Sequence, residues 1–152
     1  MGRTVDFFDM DIVVDGTPVD FAQTWTYRGV AFSGVPNLVS TFGYVNASWT
    51  LRADLIAQFV CRLLHHLSNT GTDVVTPLLR PSDRYMTPRP FIEDFSPGYM
   101  ARMMPRLPKQ GDREPWTNPQ RHSVDRKALK KAPLDDGALV FSRTATGRAG
   151  NV

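Results

Sequence analysis

Residues 46–71, NASWTLRADLIAQFVCRLLHHLSNTG, decide the fold. No proline or glycine interrupts 47–69, and Asn46 and Ser48 are both good helix N-caps. Leu51, Leu55, Phe59, Leu63 and Leu67 recur every four residues, and Ile56, Val60 and Leu64 widen the stripe. That spacing returns to nearly the same side of a helix, so it predicts a long, largely buried helix with a broad apolar arc. Asn69-Thr70-Gly71 ends it, glycine taking the left-handed turn that follows a helix. Cys61 falls within the arc and reads as a small buried filler. Arg52 reads as the exposed counterpart of Leu55, Phe59 and Leu63. His65 and His66 are adjacent, so they point about 100° apart and do not share a metal.

Upstream, residues 11–22 (DIVVDGTPVDFA) predict a β-hairpin turning on Asp15-Gly16. Residues 27–33 (YRGVAFS) predict one short strand. Residues 34–43 (GVPNLVSTFG) form a loop bounded by glycines, with Pro36 fixing the backbone and Asn37 suited to a turn. Downstream, residues 76–90 hold Pro77, Pro81, Pro88 and Pro90 and predict an irregular connection. Ser96-Pro97 opens a short helix over 98–107, and Asn118-Pro119 opens another to about 131. Asp135-Asp136-Gly137 turns into a last strand, 138–142, and the tail from 144 reads as disordered. The chain thus divides into 1–75, a proline-rich basic extension over 76–143, and the tail 144–152.

Hydrophobic residues make up 41% and charged residues 22% of the 152, the ordinary balance of a globular domain with one core. The longest apolar stretch, 49–67, is interrupted by Arg52, Asp54, Gln58, Arg62, His65 and His66, which excludes a membrane span. No charged segment followed by an apolar one opens the sequence, and the one cysteine forms no internal disulfide, so the expected compartment is the cytoplasm. The net charge of +3 is uneven: residues 1–79 carry net −3 and residues 80–131 net +6. Such a basic half can attract nucleic acid, an acidic lipid or a phosphorylated ligand. No nucleic-acid motif accompanies it, so it reads as a solvated face or a surface that docks on an acidic neighbour.

The usual catalytic signatures are missing: there is no GxGxxG, no GxxxxGK[ST] and no GxSxG. What remains is a glycine-bounded loop leading into the start of the strongest helix. A helix start offers unpaired N–H groups and partial positive charge, which suit an anionic or electron-rich ligand group.

The wording of this region carries a resemblance. Residues 27–67, YRGVAFSGVPNLVSTFGYVNASWTLRADLIAQFVCRLLHHL, resemble the C-terminal part of the FAD domain of bacterial flavin-containing monooxygenases of the Baeyer–Villiger type. The pattern SGVPN…GY.NASWTL.ADL…VCRLL is specific. It continues through RPFIEDFSPGYMARMMPRLPKQG (89–111), Pro115-Trp116 and DDGALVFSR (135–143).

The resemblance implies an α/β fold from a flavoprotein with two dinucleotide-binding domains, residues 1–75 being the C-terminal portion of an incomplete Rossmann-type FAD domain and 76–143 a C-terminal extension. The intact family member uses FAD and NADPH, each held at a Gly-rich turn, and oxygenates a ketone or soft heteroatom through a flavin C4a-peroxide. Neither Gly-rich turn is present here, nor the family signature FxGxxxHxxxW. The chain therefore reads as a monooxygenase fragment that is not catalytic alone and retains no cofactor alone; the alternatives are a non-catalytic remnant or a basic binding module. By the same resemblance, Pro36, Asn37 and Leu38 lie by the flavin ring and Asn46, Ala47 and Ser48 at the helix start beside it. No catalytic acid or base is evident. The implied partner is an N-terminal monooxygenase portion or a second copy, because the long helix lacks the parallel sheet that would cover it.

Overall fold

A 22-residue helix, α1 (Trp49–Thr70), organises the molecule. In the computed structural model, which describes residues 10–93 and 98–145, α1 starts after Ser48 and stops at Gly71. Gly71 adopts φ 63° and its N–H bonds back to the Leu67 and Ser68 carbonyls, the left-handed stop that the sequence predicts. About it lie three two-stranded antiparallel sheets: β1 (Val13–Val14) with β2 (Thr17–Pro18), β3 (Thr26–Tyr27) with β4 (Ala31–Phe32), and β5 (Val74–Pro77) with β6 (Leu139–Ser142). Two short helices, α2 (Gly98–Met103) and α3 (His122–Asp125), complete a small α/β arrangement, α3 running on into a π-helical turn, Arg126–Lys131.

The first hairpin forms as expected, with Asp15 at φ 48° and Gly16 at φ 82°, both in the region a tight hairpin turn demands. Residues 27–33 do not form one strand. Arg28 and Gly29 also take positive φ, and the chain folds back so that Tyr27 pairs with Ala31 and Thr26 with Phe32. Only glycine fits at position 29, since a Cβ there would stand 2.4 Å from Asn118 Oδ1. The connection after α1 is also more ordered than its prolines suggest. Val74, Val75, Thr76 and Pro77 pair in register with Ser142, Phe141, Val140 and Leu139. Pro77 is tolerated because it closes the strand.

Further along, the sequence places a helix start at Asn118-Pro119, but the helix begins at His122. Asn118 is buried instead, its N–H donating to Gln110 Oε1 and its Nδ2 to the Phe91 carbonyl. The short helix expected over 98–107 is α2 followed by a 3-10 turn, Met104–Arg106, while its expected opening at Ser96-Pro97 lies outside the described residues. Of the tail, residues 146–152 also lie outside them, whereas Thr144 donates its N–H and hydroxyl to the Asp73 carboxylate.

The core draws on both sides of residue 75. One face of α1 buries Leu55, Ile56, Phe59 and Leu63 against Tyr27, Trp116, Leu129, Leu134 and Leu139. Each such aliphatic or aromatic side chain contributes about 1.5–3 kcal/mol by leaving water. A second cluster joins Phe21, Phe32, Val35, Phe91, Ile92 and Leu107. The helix is not largely buried, however: Trp49, Leu51 and Leu64 are 50%, 42% and 60% exposed. Cys61 is exposed too, because it lies about 200° round the helix from both Phe59 and Leu63.

Polar groups seal the first core. Asp83 is fully buried and accepts from Arg80 Nε (2.7 Å), Arg80 Nη2 (3.1 Å), the Arg80 N–H (3.0 Å) and Trp116 Nε1 (2.9 Å). Burial pushes its pKa up, but these donors overcome that and hold it below the ordinary carboxylate value. A depressed folded pKa contributes stability above the ordinary carboxylate pKa, and that contribution is lost as pH falls through the folded value. Asp83→Asn is therefore expected to cost about 1.5–3 kcal/mol at neutral pH. The variant should also lose part of the parent's decline in stability toward acid, as read by urea titrations at several pH values; an unchanged acid slope would refute the assignment.

Candidate functional site

The segment between β4 and α1 is a strap held at successive points. The Gly34 N–H donates to the Pro77 carbonyl and the Ser40 N–H to the Val30 carbonyl. Asn37, at φ 54°, docks on β5: its N–H donates to the Val75 carbonyl, its Oδ1 accepts from the Val75 N–H, and its Nδ2 donates to the Asp73 carbonyl. Toward the other end, Arg52 Nη1 donates to the Phe42 carbonyl at 2.6 Å. The Val45 N–H donates to Gln120 Oε1, and the Trp49 ring packs on Phe42 and fills the space over Gly43.

These contacts fix where each predicted site residue sits. Asn37 is tied to Asp73 and Val75, just past the C-terminal end of α1, while Asn46, Ala47 and Ser48 lie at its N-terminal end. A 22-residue helix is about 33 Å long. Residues 36–38 therefore lie along the C-terminal half of α1, Leu38 beside Phe59 and Leu63 and Asn37 beside Leu64 and Leu67, whereas 46–48 stand at its N-terminal end, and the strap runs antiparallel to the helix between them. Pro36 and Asn37 line an open cavity of about 610 Å³ with Val14, Thr76 and Ser142; half-buried Leu38 packs against the second core cluster. Asn46, Ala47 and Ser48 are all exposed.

The start of α1 is open. Ser48 occupies the N-cap position but makes no side-chain capping bond; its Oγ instead meets Thr50 Oγ1 at 2.9 Å. No acidic residue sits in the first turn. The helix start thus keeps donors and partial positive charge available to an electron-rich group.

Behind it lies a polar cluster that sequence reasoning missed. Arg52, expected to be exposed, is fully buried. Its Nε stands 3.4 Å from Asp125 Oδ2, and its Nη2 donates to the Arg28 carbonyl and Asn118 Oδ1, both at 3.2 Å. The pair is strained for partners, since Arg52 Nε, Asp125 Oδ2 and the Tyr44 hydroxyl have no hydrogen bond of ordinary geometry. Burial lowers the Arg52 pKa and raises that of Asp125, each partner opposing the other's shift; burial also raises the Tyr44 pKa, with Asp125 adding to the rise and Arg52 opposing it. This cluster locks the strap, α1 and α3 together immediately behind the open helix start. Among the described residues no group of three or more His, Cys, Asp or Glu could hold a metal, and no helix is long and apolar enough to cross a membrane.

The chain is 44% identical over 86% of its length to the FAD-containing monooxygenase EthA of Mycobacterium tuberculosis, and 43% identical over 85% to EthA of Mycolicibacterium smegmatis. It is homologous to a segment of the FAD-containing monooxygenases. A protein named "Probable FAD-binding monooxygenase AlmA", from Acinetobacter baylyi, is 39% identical over 86% of the chain. The chain spans about a quarter of these relatives, 26% of each. No family model matches it, and no solved structure matches at a significant level. The start of α1 keeps donors available, the space over Gly43 is filled by Trp49, and residues 36–38 lie along the other half of the helix.

Proposed function

We propose that this chain forms one portion of a Rossmann-type FAD domain in an FAD- and NADPH-dependent monooxygenase of the Baeyer–Villiger type. Asn46, Ala47 and Ser48 at the start of α1 form one wall of the flavin site. The identity of 44% to an FAD-containing monooxygenase carries this reading, and the uncapped helix start supports it. Bound flavin supplies the redox chemistry with oxygen; this chain's part is to place helix N–H groups against the electron-rich edge of the ring. Pro36, Asn37 and Leu38, at the far end of the strap, face the flavin only if the complete site extends along α1. The Gly-rich turns for the FAD and NADPH phosphates come from outside these 152 residues. The exposed thiol of Cys61 suits a reducing cytoplasm.

The rest of the monooxygenase covers the open side of α1. Trp49, Ala53, Ala57, Val60, Leu64 and Leu67 follow one another at three- and four-residue steps and make a second apolar stripe beside the buried one. None of the six is buried, and a groove of about 420 Å³ opens between Val60, Leu64 and Leu67 on one side and Val39 and Val75 on the other. Exposed apolar surface of this kind marks a docking face.

The test is complementation. The chain expressed alone should purify colourless and leave NADPH unoxidised with a cyclic ketone or thioether. Co-expressed with the N-terminal portion of a related monooxygenase, it should co-purify with that portion and flavin. Ser48→Glu, which sets a negative charge at the helix start, should lower flavin retention in that complex without dissociating it. A stoichiometric flavin spectrum from the chain alone, or a complex whose flavin content ignores Ser48→Glu, would overturn the reading.

A further inference from the structure

The π-helical turn Arg126–Lys131 is gripped by two arginines from other elements. Arg62 Nη1 and Nη2 donate to the Leu129 and Ala132 carbonyls at 2.7 and 2.6 Å, and Arg28 Nη1 donates to the Ala128 carbonyl. Arg28 is only 7% exposed, its nearest carboxylate, Asp136, stands 3.4 Å away, and its Nε has no acceptor. Asp136 is a shared counter-charge. Its Oδ2 also accepts from the Tyr27 hydroxyl at 2.5 Å, and its Oδ1 accepts the Ala138 and Leu139 N–H groups. The guanidinium, whose Nη2 donates to Asp136 Oδ2, thus shares that carboxylate with three other donors.

A cavity of about 670 Å³ opens at this point, lined by Arg28, Lys127 and Lys131 together with Val124, Ala128 and Ala132. Lys127 and Lys131 are exposed and make no ion pair with the described residues. The one carboxylate in the lining, Glu114, accepts from Thr117 Oγ1 at 2.6 Å. Three cations therefore meet across an apolar floor against a single engaged carboxylate. Arg62, just behind, has its pKa lowered by burial and by the charge of Arg28, as crowding of like charges requires. π-helical turns recur at functional sites, where the widened turn re-aims its side chains.

We propose that this cavity binds a small organic oxyanion, its carboxylate or phosphate head held by Lys127 and Lys131 in the field of Arg28 and its apolar body lying on Val124, Ala128 and Ala132. The volume falls in the range of small-molecule pockets, in a depression broadly open to solvent, and the mix of apolar lining with a few convergent charges is the usual composition of one. This site is independent of the flavin reading.

Calorimetric titration of the full chain with phenyl phosphate, benzoate and inorganic phosphate tests it. Saturable one-to-one binding of phenyl phosphate or benzoate is expected, and whichever binds more tightly names the head group. Inorganic phosphate, which has no apolar body, should bind several-fold more weakly than phenyl phosphate. Lys127→Glu with Lys131→Glu should weaken binding about tenfold or more, on the order of 1.4 kcal/mol. Lys130→Glu makes the same kind of charge change on the same turn outside the cavity lining, and should stay within about twofold of the parent. The neutral pair Lys127→Met and Lys131→Met gives the same comparison if charge reversal disturbs the fold. Absence of saturable binding, equal loss in Lys130→Glu, or equal affinity for inorganic and phenyl phosphate would overturn the proposal.

Discussion

Replacing Arg52 by alanine is expected to cost about 3–5 kcal/mol, a large share of the margin of a domain stable by about 5–15 kcal/mol. The guanidinium lies in the interior, and three acceptors from separate segments depend on it: the Phe42 and Arg28 carbonyls and Asn118 Oδ1. Its loss would also leave Asp125, itself 2% exposed, as a buried charge without a cation. The sign of the pH dependence separates this from a simple packing defect. The Asp125 pKa is already raised by burial, with Arg52 opposing the rise. A raised folded pKa gives stability that is present at low pH and lost as pH rises through that value. Without Arg52 the folded state should therefore be weakest at neutral pH and recover part of its loss toward the carboxylate range. Urea titrations of Arg52→Ala at several pH values read this directly. An apolar pair, Arg52→Met with Asp125→Leu, should restore only the part of the loss that comes from the unpaired Asp125 charge, because the Phe42 and Arg28 carbonyls and Asn118 Oδ1 stay without their donor. If Arg52→Ala costs no more than the exposed Cys61→Ser, the pair is not holding the strap to the helix.

Arg52 also shows where a sequence stops being informative. The extent of α1 was legible because residues 47–69 satisfy a helical period without interruption and end on a glycine. The Asp15-Gly16 hairpin and the strand at Leu139–Ser142 were legible for similarly local reasons. Arg52 lies beside Leu55 and Ile56 on the helix, so its burial depends on whether something distant offers a counter-charge. That something is Asp125, on an element the sequence opens too early, at Asn118. Cys61 fails in the opposite direction, because a broad apolar arc does not say which half the rest of the chain covers. The strand Val74–Pro77 was hidden by its proline and exists only because β6 returns to pair with it. Two neighbouring valines after the helix stop were the one local signal. The candidate site divides the same way. The position of the α1 start follows from the sequence around Ser48, but that its hydroxyl meets Thr50 and leaves the start uncapped does not, and the separation of residues 36–38 from that start follows from the strap being extended along the helix.

The two apolar stripes of α1 should respond to truncation in different experiments. Phe59 is fully buried, lies between Leu55 and Leu63 on the covered stripe, and stacks on Tyr27 with ring centroids 6.4 Å apart. Phe59→Ala opens a cavity that Tyr27, Trp116 and Leu129 cannot collapse to fill, since all three are fully buried in close-packed surroundings. The expected cost is about 3–5 kcal/mol, read as a lower urea midpoint by tryptophan fluorescence. Leu64 is 60% exposed on the other stripe, so Leu64→Ala should change the midpoint of the chain by no more than about 0.5 kcal/mol. Its effect should appear instead in association: weaker binding of a hydrophobic dye by the chain alone, less self-association by light scattering, and poorer capture of a co-expressed monooxygenase N-terminal portion. Leu64→Asp should deepen these effects, because an ionised carboxylate buried in an interface needs a partner that an apolar face does not offer. The contrast rests on one helix presenting two surfaces, the first covered by residues of this chain and the second open among the described residues and proposed above as a docking face. Equal losses of stability from Phe59→Ala and Leu64→Ala would mean that both stripes are already covered. Unchanged association in Leu64→Asp would mean that the open stripe docks nothing.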